Sequence, residues 1–328
     1  DIISHGYVSN NCALFYSTMK SLKTNMKKPH KNLTDRMDYR SGIVSPLAPP
    51  SVFAIEITNS CNLNCLMCAH DKITTNKTHM PLDILKKIID QSKTFKYPIH
   101  WFHHIGEPLL YPDLEEALSY FKKNGSGRGA IATNGLLLTS SLCDMLTKYC
   151  NHILIALDST RPEVYKIVRN NNNFDLLVSN IKRLITISKD TELTIEIQLI
   201  NSKFNQDETT KGFGNLFGIH DQVTYSQKRI FQVPDGNDLL PDYARPKTER
   251  NNNLNLCHHP LHHFVIKVNG DCVFCCYDFN GEQSIGNINN SNLLEIWEGM
   301  SASRLRHELK NNIFNNLTLC NRCPGWQQ

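Results

Sequence analysis

Residues 52–68 read VFAIEITNSCNLNCLMC, and this stretch decides the fold of the chain. Its first seven residues are mostly apolar and β-branched, which favours a buried strand. Three cysteines follow at once, Cys61, Cys65 and Cys68, in a C-x3-C-x2-C motif. Three thiolates this close together can hold three irons of a [4Fe–4S] cube and leave the fourth iron open for another ligand. Because a zinc site usually takes four protein ligands, we interpret the motif as an iron–sulfur site, with zinc or three unrelated buried cysteines as alternatives.

Downstream of this strand, strand-like and helix-like patterns alternate along the chain. Five more strands are predicted, at His100 to Ile105, Ala130 to Thr133, Ile153 to Leu157, Leu193 to Ile200 and Gln222 to Tyr225. A helix is predicted to begin at Pro81, and others cover Pro112 to Lys122, Ser140 to Lys148, Pro162 to Val168 and Phe174 to Lys189. This alternation implies a parallel sheet with right-handed crossovers. We therefore predict an α/β fold built on a partial (β/α)6 TIM-like barrel.

A second motif follows the second predicted strand. The sequence His104-Ile105-Gly106-Glu107-Pro108 looks like the Gly-Gly-Glu-Pro motif of the radical S-adenosylmethionine (SAM) superfamily. Together with the three cysteines, it makes the chain resemble that superfamily. In the family this turn hydrogen-bonds the amino group of the methionine half of SAM, so the resemblance gives that role to Gly106 and Glu107. Ile105 replaces the usual first glycine, which restricts the backbone there.

Further positions extend the resemblance along the ends of the next strands. Asn134 follows the third strand and Asp158 the fourth. Arg169 resembles the family's carboxylate-binding arginine, and Gln198 on the fifth strand is placed to face the ribose of SAM. Ala156 stands where relatives commonly have Ser, so we expect one SAM contact to differ. For Asp158 and Arg169 the alternative is an ordinary surface ion pair.

The resemblance also implies the chemistry. SAM binds the open iron, one electron cleaves its sulfonium bond, and the 5′-deoxyadenosyl radical abstracts a hydrogen from the substrate. The protein then has to bind and orient SAM and the substrate and to exclude water. We expect this site at the C-terminal ends of the strands. An electron donor such as flavodoxin or ferredoxin is implied as a partner. We predict no catalytic residue from the sequence.

A second group of cysteines lies near the C-terminus. Cys257, Cys275, Cys320 and Cys323 resemble the single-cluster "twitch" form of the SPASM extension. The resemblance implies that they hold an auxiliary [4Fe–4S] cluster, the second of two in the chain. With four protein thiolates this cluster has no open iron, so it would transfer electrons rather than bind substrate.

A zinc site competes for the same cysteines. Cys272-x2-Cys275 together with Cys320-x2-Cys323 is a two-knuckle zinc pattern, which would leave Cys257 unused. In the twitch interpretation Cys272 is instead a buried bystander, since free cysteine often packs as a small hydrophobe. The other bystanders are then Cys276, Cys12, Cys143 and Cys150.

Four segments are predicted along the chain. Residues 1–50 form an N-terminal extension of unknown role, and residues 51–235 form the barrel. Residues 236–256 are rich in Pro, Asp and Asn and form an irregular connector. Residues 257–328 form the small SPASM/twitch domain, with a hairpin followed by a helix from about Asn292 to Lys310.

Composition narrows the class of protein. The chain has 328 residues, 40% of them hydrophobic, and a net charge of +4. Its longest apolar runs fall short of the roughly 18–20 residues of a membrane span, and no signal-peptide pattern is present. We therefore expect a cytoplasmic protein without a membrane partner. A weak charge without a strong basic stripe gives no reason to expect nucleic-acid binding.

Two substrate classes remain open at this point. The cysteine layout resembles that of aminocyclitol dehydrogenases, which favours oxidation of a small polyol, amino sugar or aminocyclitol. Many SPASM-bearing enzymes instead modify peptides or protein side chains, as maturases or sulfatase-activating enzymes do. Peptide maturases often carry a leader-binding domain longer than residues 1–50, so we favour the small molecule. A zinc-binding protein without enzymatic activity is the remaining alternative.

Overall fold

The structure is a computed structural model, and it describes residues 50, 52–95, 99–230, 257, 259–311 and 313–323. Cys12, the predicted connector 236–256 and residues 1–49 of the predicted N-terminal extension lie outside the described residues.

Nine strands and ten helices follow one another in the described part of the chain. The strands are β1 (Val52–Ile55), β2 (Ile99–Trp101), β3 (Arg128–Thr133), β4 (His152–Ala156), β5 (Thr194–Asn201), β6 (Val223–Arg229), β7 (His263–Ile266), β8 (Asp271–Val273) and β9 (Gly286–Asn287). The helices are α1 (Leu82–Ser92), α2 (Leu114–Asn124), α3 (Ser140–Tyr149), α4 (Pro162–Arg169), α5 (Phe174–Ile187), α6 (Thr210–Phe217), α7 (His259–His262), α8 (Leu293–Glu298), α9 (Met300–Lys310) and α10 (Thr318–Asn321). All six predicted barrel strands are present, with ends shifted by a few residues.

One open sheet contains all nine strands, in the order β6-β5-β4-β3-β2-β1-β7-β8-β9. Strands β1 to β6 run parallel and are joined through helices. Because β6 and β9 both end the sheet, the barrel does not close. The predicted α/β fold with a partial (β/α)6 barrel is therefore confirmed.

The C-terminal hairpin is part of this same sheet. Strand β7 pairs in parallel with β1, with Phe53 opposite Phe264 and Ile55 opposite Ile266. The β8 and β9 strands then continue the sheet in antiparallel fashion. All four residues of β7 are buried, so β7 covers an edge of β1 that would otherwise expose unpaired backbone groups. The hairpin was predicted, but its place beside β1 was not.

Side chains alternate between two apolar layers on the two faces of the sheet. Larger residues such as Phe53 and Ile131 face the helices in the main core. The barrel interior instead contains small residues, among them Ala54, Ala130 and Ala132. Small side chains leave space inside the barrel, and this space is the site described below.

Two features of the helices bear on the predictions. The helix predicted from Asn292 to Lys310 is two helices, α8 and α9, because the backbone at Gly299 is extended. Asn292 begins α8 with a capping box, in which its side chain accepts a hydrogen bond from the Glu295 N–H.

Among the residues that the structure describes, no helix combines the length and apolarity that crossing a membrane would require.

Candidate active site

A cavity of about 140 Å³ opens at the C-terminal ends of the parallel strands. Most of its polar lining comes from the loop after β1, from the ends of β2 to β5 and from the end of α4. This lining contains Cys61, Cys65, Cys68, His103, His104, Gly106, Glu107, Thr133, Asn134, Arg169 and Gln198. Of the predicted cofactor-site residues in the barrel, Asp158 alone is absent from the lining.

The three N-terminal cysteines lie together on the loop after β1. The loop is attached to the end of α4, where the Leu66 N–H donates to the Val168 carbonyl at 3.0 Å. Burial raises the pKa of Cys61 to about 11, with smaller contributions from the Glu107 carboxylate and the Cys65 thiol. Burial also raises the pKa of Cys68 to about 12, again with a contribution from Cys65. Such thiols stay protonated until a metal supplies positive charge, which suits residues that bind a cluster.

The Gly106 position requires glycine. Its φ is +97°, and a Cβ atom there would lie 2.7 Å from the Thr58 carbonyl oxygen and 2.9 Å from that of Ser60. The next residue, Glu107, donates its N–H to the same Ser60 carbonyl at 2.8 Å. The turn after β2 therefore packs directly against the start of the cysteine loop. Ile105, which replaces the usual first glycine, is buried in the barrel interior.

Glu107 holds two turns together. One carboxylate oxygen accepts from the Leu109 N–H at 3.1 Å and from the Thr133 hydroxyl at 2.7 Å, and the other accepts from the Asn134 N–H at 2.8 Å. Burial raises the pKa of this carboxyl group, and the three hydrogen bonds oppose that shift. Most of its acceptor capacity is thus used inside the protein. The direct contact between Glu107 and the methionine ammonium stays a prediction.

Arg169, at the end of α4, carries the positive charge of the cavity wall. One guanidinium nitrogen lies 2.5 Å from the Asp158 carboxylate and donates to the Ala156 carbonyl at 2.7 Å. Another donates to the Cys65 sulfur at 3.5 Å. Burial alone would lower the pKa of Arg169, but Asp158 raises it above its usual value. The pair is buried, with side-chain exposures of 10% and 0%, so it is not a surface ion pair.

Asp158 lies behind Arg169 and positions it. The Asp158 residue has φ +63°, an uncommon value for a non-glycine residue. Its other carboxylate oxygen accepts from the Ile200 N–H at 2.9 Å. These contacts fix the Asp158 carboxylate, which in turn orients Arg169. Asp158 therefore contributes to the site by holding Arg169 in place and does not line the cavity.

Gln198 provides a test of whether the site fits a polar ligand. The residue is fully buried and lines the cavity. Neither its amide nitrogen nor its amide oxygen has a hydrogen-bond partner among the described residues. Since a buried polar group without a partner is costly, this amide fits a ligand that offers both a donor and an acceptor. The ribose of SAM has hydroxyl groups that do both.

Asn134 is tied to the cysteine loop. Its side-chain nitrogen donates to the Asn62 side-chain oxygen at 2.8 Å, and its own oxygen accepts from the Leu136 N–H at 3.0 Å. The predicted Asn134 position is therefore on the cavity wall, between the cysteine loop and the turn after β3.

The cavity residues that the sequence analysis did not assign to the site include His103, Tyr277 and Phe279. The alternation of side chains from Trp101 could have pointed His103 into the barrel. No comparable signal exists for Tyr277 and Phe279, because they reach the cavity only through the pairing of the C-terminal hairpin with β1.

The four C-terminal cysteines form a second site. Burial raises the pKa of Cys275, and the thiols of Cys257, Cys323 and Cys320 raise it further. Burial likewise raises the pKa of Cys257 to about 12, with a contribution from Cys323. The Cys320 thiol also donates to the Gln283 side-chain oxygen at 3.2 Å. The structure thus brings together the four residues of the twitch pattern.

Cys272 does not join this group. It is fully buried in the main core on the helix side of the sheet, and its thiol donates to the Gly270 carbonyl at 3.7 Å. Cys275 packs against the layer inside the barrel, on the opposite face. The two residues of the proposed zinc knuckle therefore point to different sides, so the two-knuckle hypothesis lacks geometric support. Cys143 and Cys150 are buried in the core, as predicted.

Two family models match the chain. Residues 55–202 match the model of the radical SAM superfamily, and residues 257–324 match that of the SPASM iron–sulfur cluster-binding domain. The chain therefore belongs to the radical SAM superfamily and is an enzyme with a C-terminal SPASM domain. Its cofactors are SAM and [4Fe–4S] clusters. This agrees with the two groups of cysteines and with the buried Gln198 amide, which has no hydrogen-bond partner among the described residues.

Individual relatives cover most of the chain at low identity. A tungsten-containing aldehyde ferredoxin oxidoreductase cofactor-modifying protein of Pyrococcus furiosus is 23% identical over 81% of this chain and 86% of its own length. A SAM-dependent 2-deoxy-scyllo-inosamine dehydrogenase of Niallia circulans is 24% identical over 83% of this chain and 92% of its own length. The chain spans about half the length of the probable GTP 3′,8-cyclases that it matches, for example 52% of one from Methanococcus maripaludis.

A solved structure agrees with the architecture. Streptococcus suis SuiB bound to its precursor peptide SuiA superposes with a TM-score of 0.65, and the match covers 90% of this chain and 79% of SuiB. The sequence identity is 15%, so this likeness shows the fold alone.

Proposed function

We propose that this enzyme dehydrogenates a small polyol, amino sugar or aminocyclitol at a carbon that bears a hydroxyl group. The main support is the position of Tyr277. Its N–H donates to the Cys275 sulfur at 3.4 Å, while the same residue lines the cavity. A cluster on Cys275 would therefore lie beside the cavity, where it could take the electron that dehydrogenation releases.

The relatives add to this support. The 2-deoxy-scyllo-inosamine dehydrogenase is matched over nearly its whole length, although at 24% identity. The reaction in its name, loss of hydrogen from a cyclitol, requires a place for one further electron once a hydrogen atom has been removed. A cluster held by Cys257, Cys275, Cys320 and Cys323 would provide that place in this chain.

Residues of the barrel would hold the first cluster and SAM. Cys61, Cys65 and Cys68 would ligate three irons, and Arg169 would pair with the carboxylate of SAM. The turn at Gly106 and Glu107 would accept from its ammonium group, Asn134 would complete the wall, and Gln198 would bind the ribose. When bound, cluster and SAM together supply the 5′-deoxyadenosyl radical that abstracts hydrogen.

The auxiliary site and the partners complete the proposal. Cys257, Cys275, Cys320 and Cys323 would ligate the second [4Fe–4S] cluster with no iron left open. A one-electron donor such as flavodoxin or ferredoxin would reduce the first cluster. The protein would work in the cytoplasm, where clusters of this kind remain intact in reducing conditions.

The test is turnover by anaerobically reconstituted protein with SAM and dithionite. We would offer a panel of aminocyclitols, amino sugars and polyols, including 2-deoxy-scyllo-inosamine, and measure ketone and 5′-deoxyadenosine by mass spectrometry. Ketone formed in step with 5′-deoxyadenosine from at least one of these compounds is the expected result. Modification of peptides alone, with no ketone from any small hydroxyl compound, would reject the proposal in favour of a peptide maturase.

A further inference from the structure

His103 occupies the barrel interior below the predicted SAM residues. It lies two residues beyond Trp101, a buried residue of the inner layer, and it lines the cavity, whereas Phe102 between them packs in the main core. In the same cavity wall, Ala132 of β3 is paired with Leu154 of β4. This part of the cavity is thus mostly apolar, and His103 adds a polar group to it.

Gln198 lies at a different level of the barrel. It pairs with Ala156, which is two residues nearer the C-terminal end of β4 than Leu154. If SAM occupies the level of Gln198 and Ala156, the space between His103, Ala132 and Leu154 remains below it. A second molecule could be held there, inside the barrel and in reach of a radical formed above.

The imidazole ring of His103 has an unused nitrogen. Nδ1 is completely buried and has no hydrogen-bond partner among the described residues. Burial lowers the pKa of His103 to about 3, with a smaller contribution from the neighbouring His104 and an opposing one from Glu56. The ring is therefore neutral at physiological pH and offers one donor and one acceptor.

The other two histidines of this segment are committed elsewhere. His100 Nε2 lies 2.9 Å from the Ser92 hydroxyl on the helix side of the sheet. His104 has Nδ1 at 2.8 Å from the Glu56 carboxylate and Nε2 at 2.8 Å from the Cys276 carbonyl. His103 is therefore the histidine of this segment that presents an unused nitrogen to the cavity.

We propose that His103 contacts the substrate, that its ring accepts a hydrogen bond from the hydroxyl group to be oxidised, and that it takes the proton of that group. This inference rests on the proposed dehydrogenation. The C–H bond breaks and its hydrogen atom goes to the 5′-deoxyadenosyl radical. The O–H bond breaks and its proton goes to His103. The C=O bond forms, and the remaining electron goes to the auxiliary [4Fe–4S] cluster, which is the oxidant.

A weakly basic ring is sufficient for this step. The hydroxyl proton becomes strongly acidic as the electron leaves, because the product would otherwise be a protonated ketone. A neutral acceptor also keeps a charge away from the apolar wall until the proton arrives. Without a base, the substrate radical would form but would be oxidised slowly.

The test compares variants of the full reconstituted enzyme, with 2-deoxy-scyllo-inosamine deuterated at its hydroxyl-bearing carbons as the probe. His103→Asn keeps an acceptor near the position of Nδ1 but cannot take a proton, so we expect a similar KM and a kcat for ketone lower by about 100-fold. Deuterium should still appear in 5′-deoxyadenosine. His103→Ala should lose ketone formation to a similar extent, and added imidazole should restore part of it.

His100→Gln is the matched control, because it replaces a buried neutral histidine of the same segment outside the cavity. It should keep the wild-type ratio of ketone to 5′-deoxyadenosine. All variants should keep both cluster signals in electron paramagnetic resonance and wild-type SAM affinity. A wild-type ratio in His103→Asn and His103→Ala would overturn the role of His103, as would a loss that imidazole does not restore. If the wild-type enzyme makes no ketone from the panel, the dehydrogenase proposal itself fails, and the inference fails with it.

Discussion

The His104 ring donates from Nε2 to the main-chain carbonyl of Cys276 at 2.8 Å. On its other side Nδ1 lies 2.8 Å from the Glu56 carboxylate, which also accepts from the Lys267 ammonium at 2.5 Å. All three side chains are at most 5% exposed. This buried network connects the strand that leads to Gly106 with the loop that carries Cys275. The network therefore links the barrel directly to the C-terminal segment that carries Cys275.

Removal of the Glu56 charge should destabilise the protein. Glu56→Gln leaves the Lys267 ammonium buried without its counter-ion, and breaking a buried pair in this way costs about 3 kcal/mol or more. Urea denaturation of the apoprotein should therefore show a lower free energy of unfolding. The control is Glu116→Gln, which breaks the exposed pair with Lys86. That change should have little effect, and equal stability of the two variants would contradict a structural role for the network.

The stability difference between the wild type and Glu56→Gln should depend on pH. Burial alone would raise the pKa of Glu56, but Lys267 and His104 hold it below its usual value of 4.5. Its charge therefore contributes stability that is present above pH 4.5 and is lost as the pH falls through the lower folded-state value. The stability gap between wild type and Glu56→Gln should be widest above pH 4.5 and shrink in more acidic solution. A gap independent of pH would be inconsistent with this account.

Gly106→Ala should disrupt the turn that we propose as part of the SAM site. The added Cβ would lie 2.7 Å from the Thr58 carbonyl oxygen, and φ is +97°, so both space and backbone conformation oppose it. We expect loss of stability of about 1–3 kcal/mol and weaker SAM binding. Gly214→Ala is the matched control, because that helical glycine has nothing within 4 Å of a new Cβ. It should be neutral or slightly stabilising, as measured by thermal unfolding and by calorimetric titration with SAM.

Arg169→Gln should weaken SAM binding, because the carboxylate of SAM would lose a charge-assisted hydrogen bond. Such a bond contributes about 1.5–3 kcal/mol, which corresponds to a dissociation constant raised by roughly 10- to 150-fold. Arg161→Gln removes a partly exposed arginine that pairs with Asp207 and Glu208 near the start of α4. That control should bind SAM like the wild type in calorimetric titration. Wild-type affinity in Arg169→Gln would show that the carboxylate is bound elsewhere.

The iron content of the reconstituted protein should depend on both groups of cysteines. Reconstituted protein should contain about eight irons, and simultaneous replacement of Cys61, Cys65 and Cys68 by Ala should leave about four. In that background, Cys257→Ala should abolish the remaining cluster signal in electron paramagnetic resonance. Cys272→Ala should keep the signal and cost only a small cavity, on the order of 1 kcal/mol. A signal that survives in Cys257→Ala and disappears in Cys272→Ala would reverse the assignment.

Much of the barrel could be predicted from local sequence. The six parallel strands follow from apolar periodicity over a few residues, and their ends shift by little. The cysteine spacing and the turn at Gly106 likewise lie within short segments, so their chemistry is visible without a structure. The helix after Asn292 was predicted as one element because the break at Gly299 depends on a single extended residue.

Residue roles that depend on distant neighbours could not be predicted. Glu107 lines the cavity, but the hydrogen bonds that its carboxylate accepts from Leu109, Thr133 and Asn134 depend on the pairing of β2 with β3 and could not be foreseen. The choice between Cys257 and Cys272 was also open, because spacing permits both. The structure separates Cys272 from Cys275 by placing them on opposite faces of the sheet.

The sequence by itself determined the class of chemistry. The three thiols of Cys61, Cys65 and Cys68 lie within eight residues of one another, and the turn at Gly106 is equally local, so both can be recognised without a structure. Only the tertiary structure decided that β7 lies beside β1, with Val52 opposite His263 across more than two hundred residues of chain. That pairing brings Tyr277 and Phe279, which follow Cys275 in the chain, to the cavity. Many segments have the apolar pattern of β7, and the choice of its partner depends on how the whole core is filled.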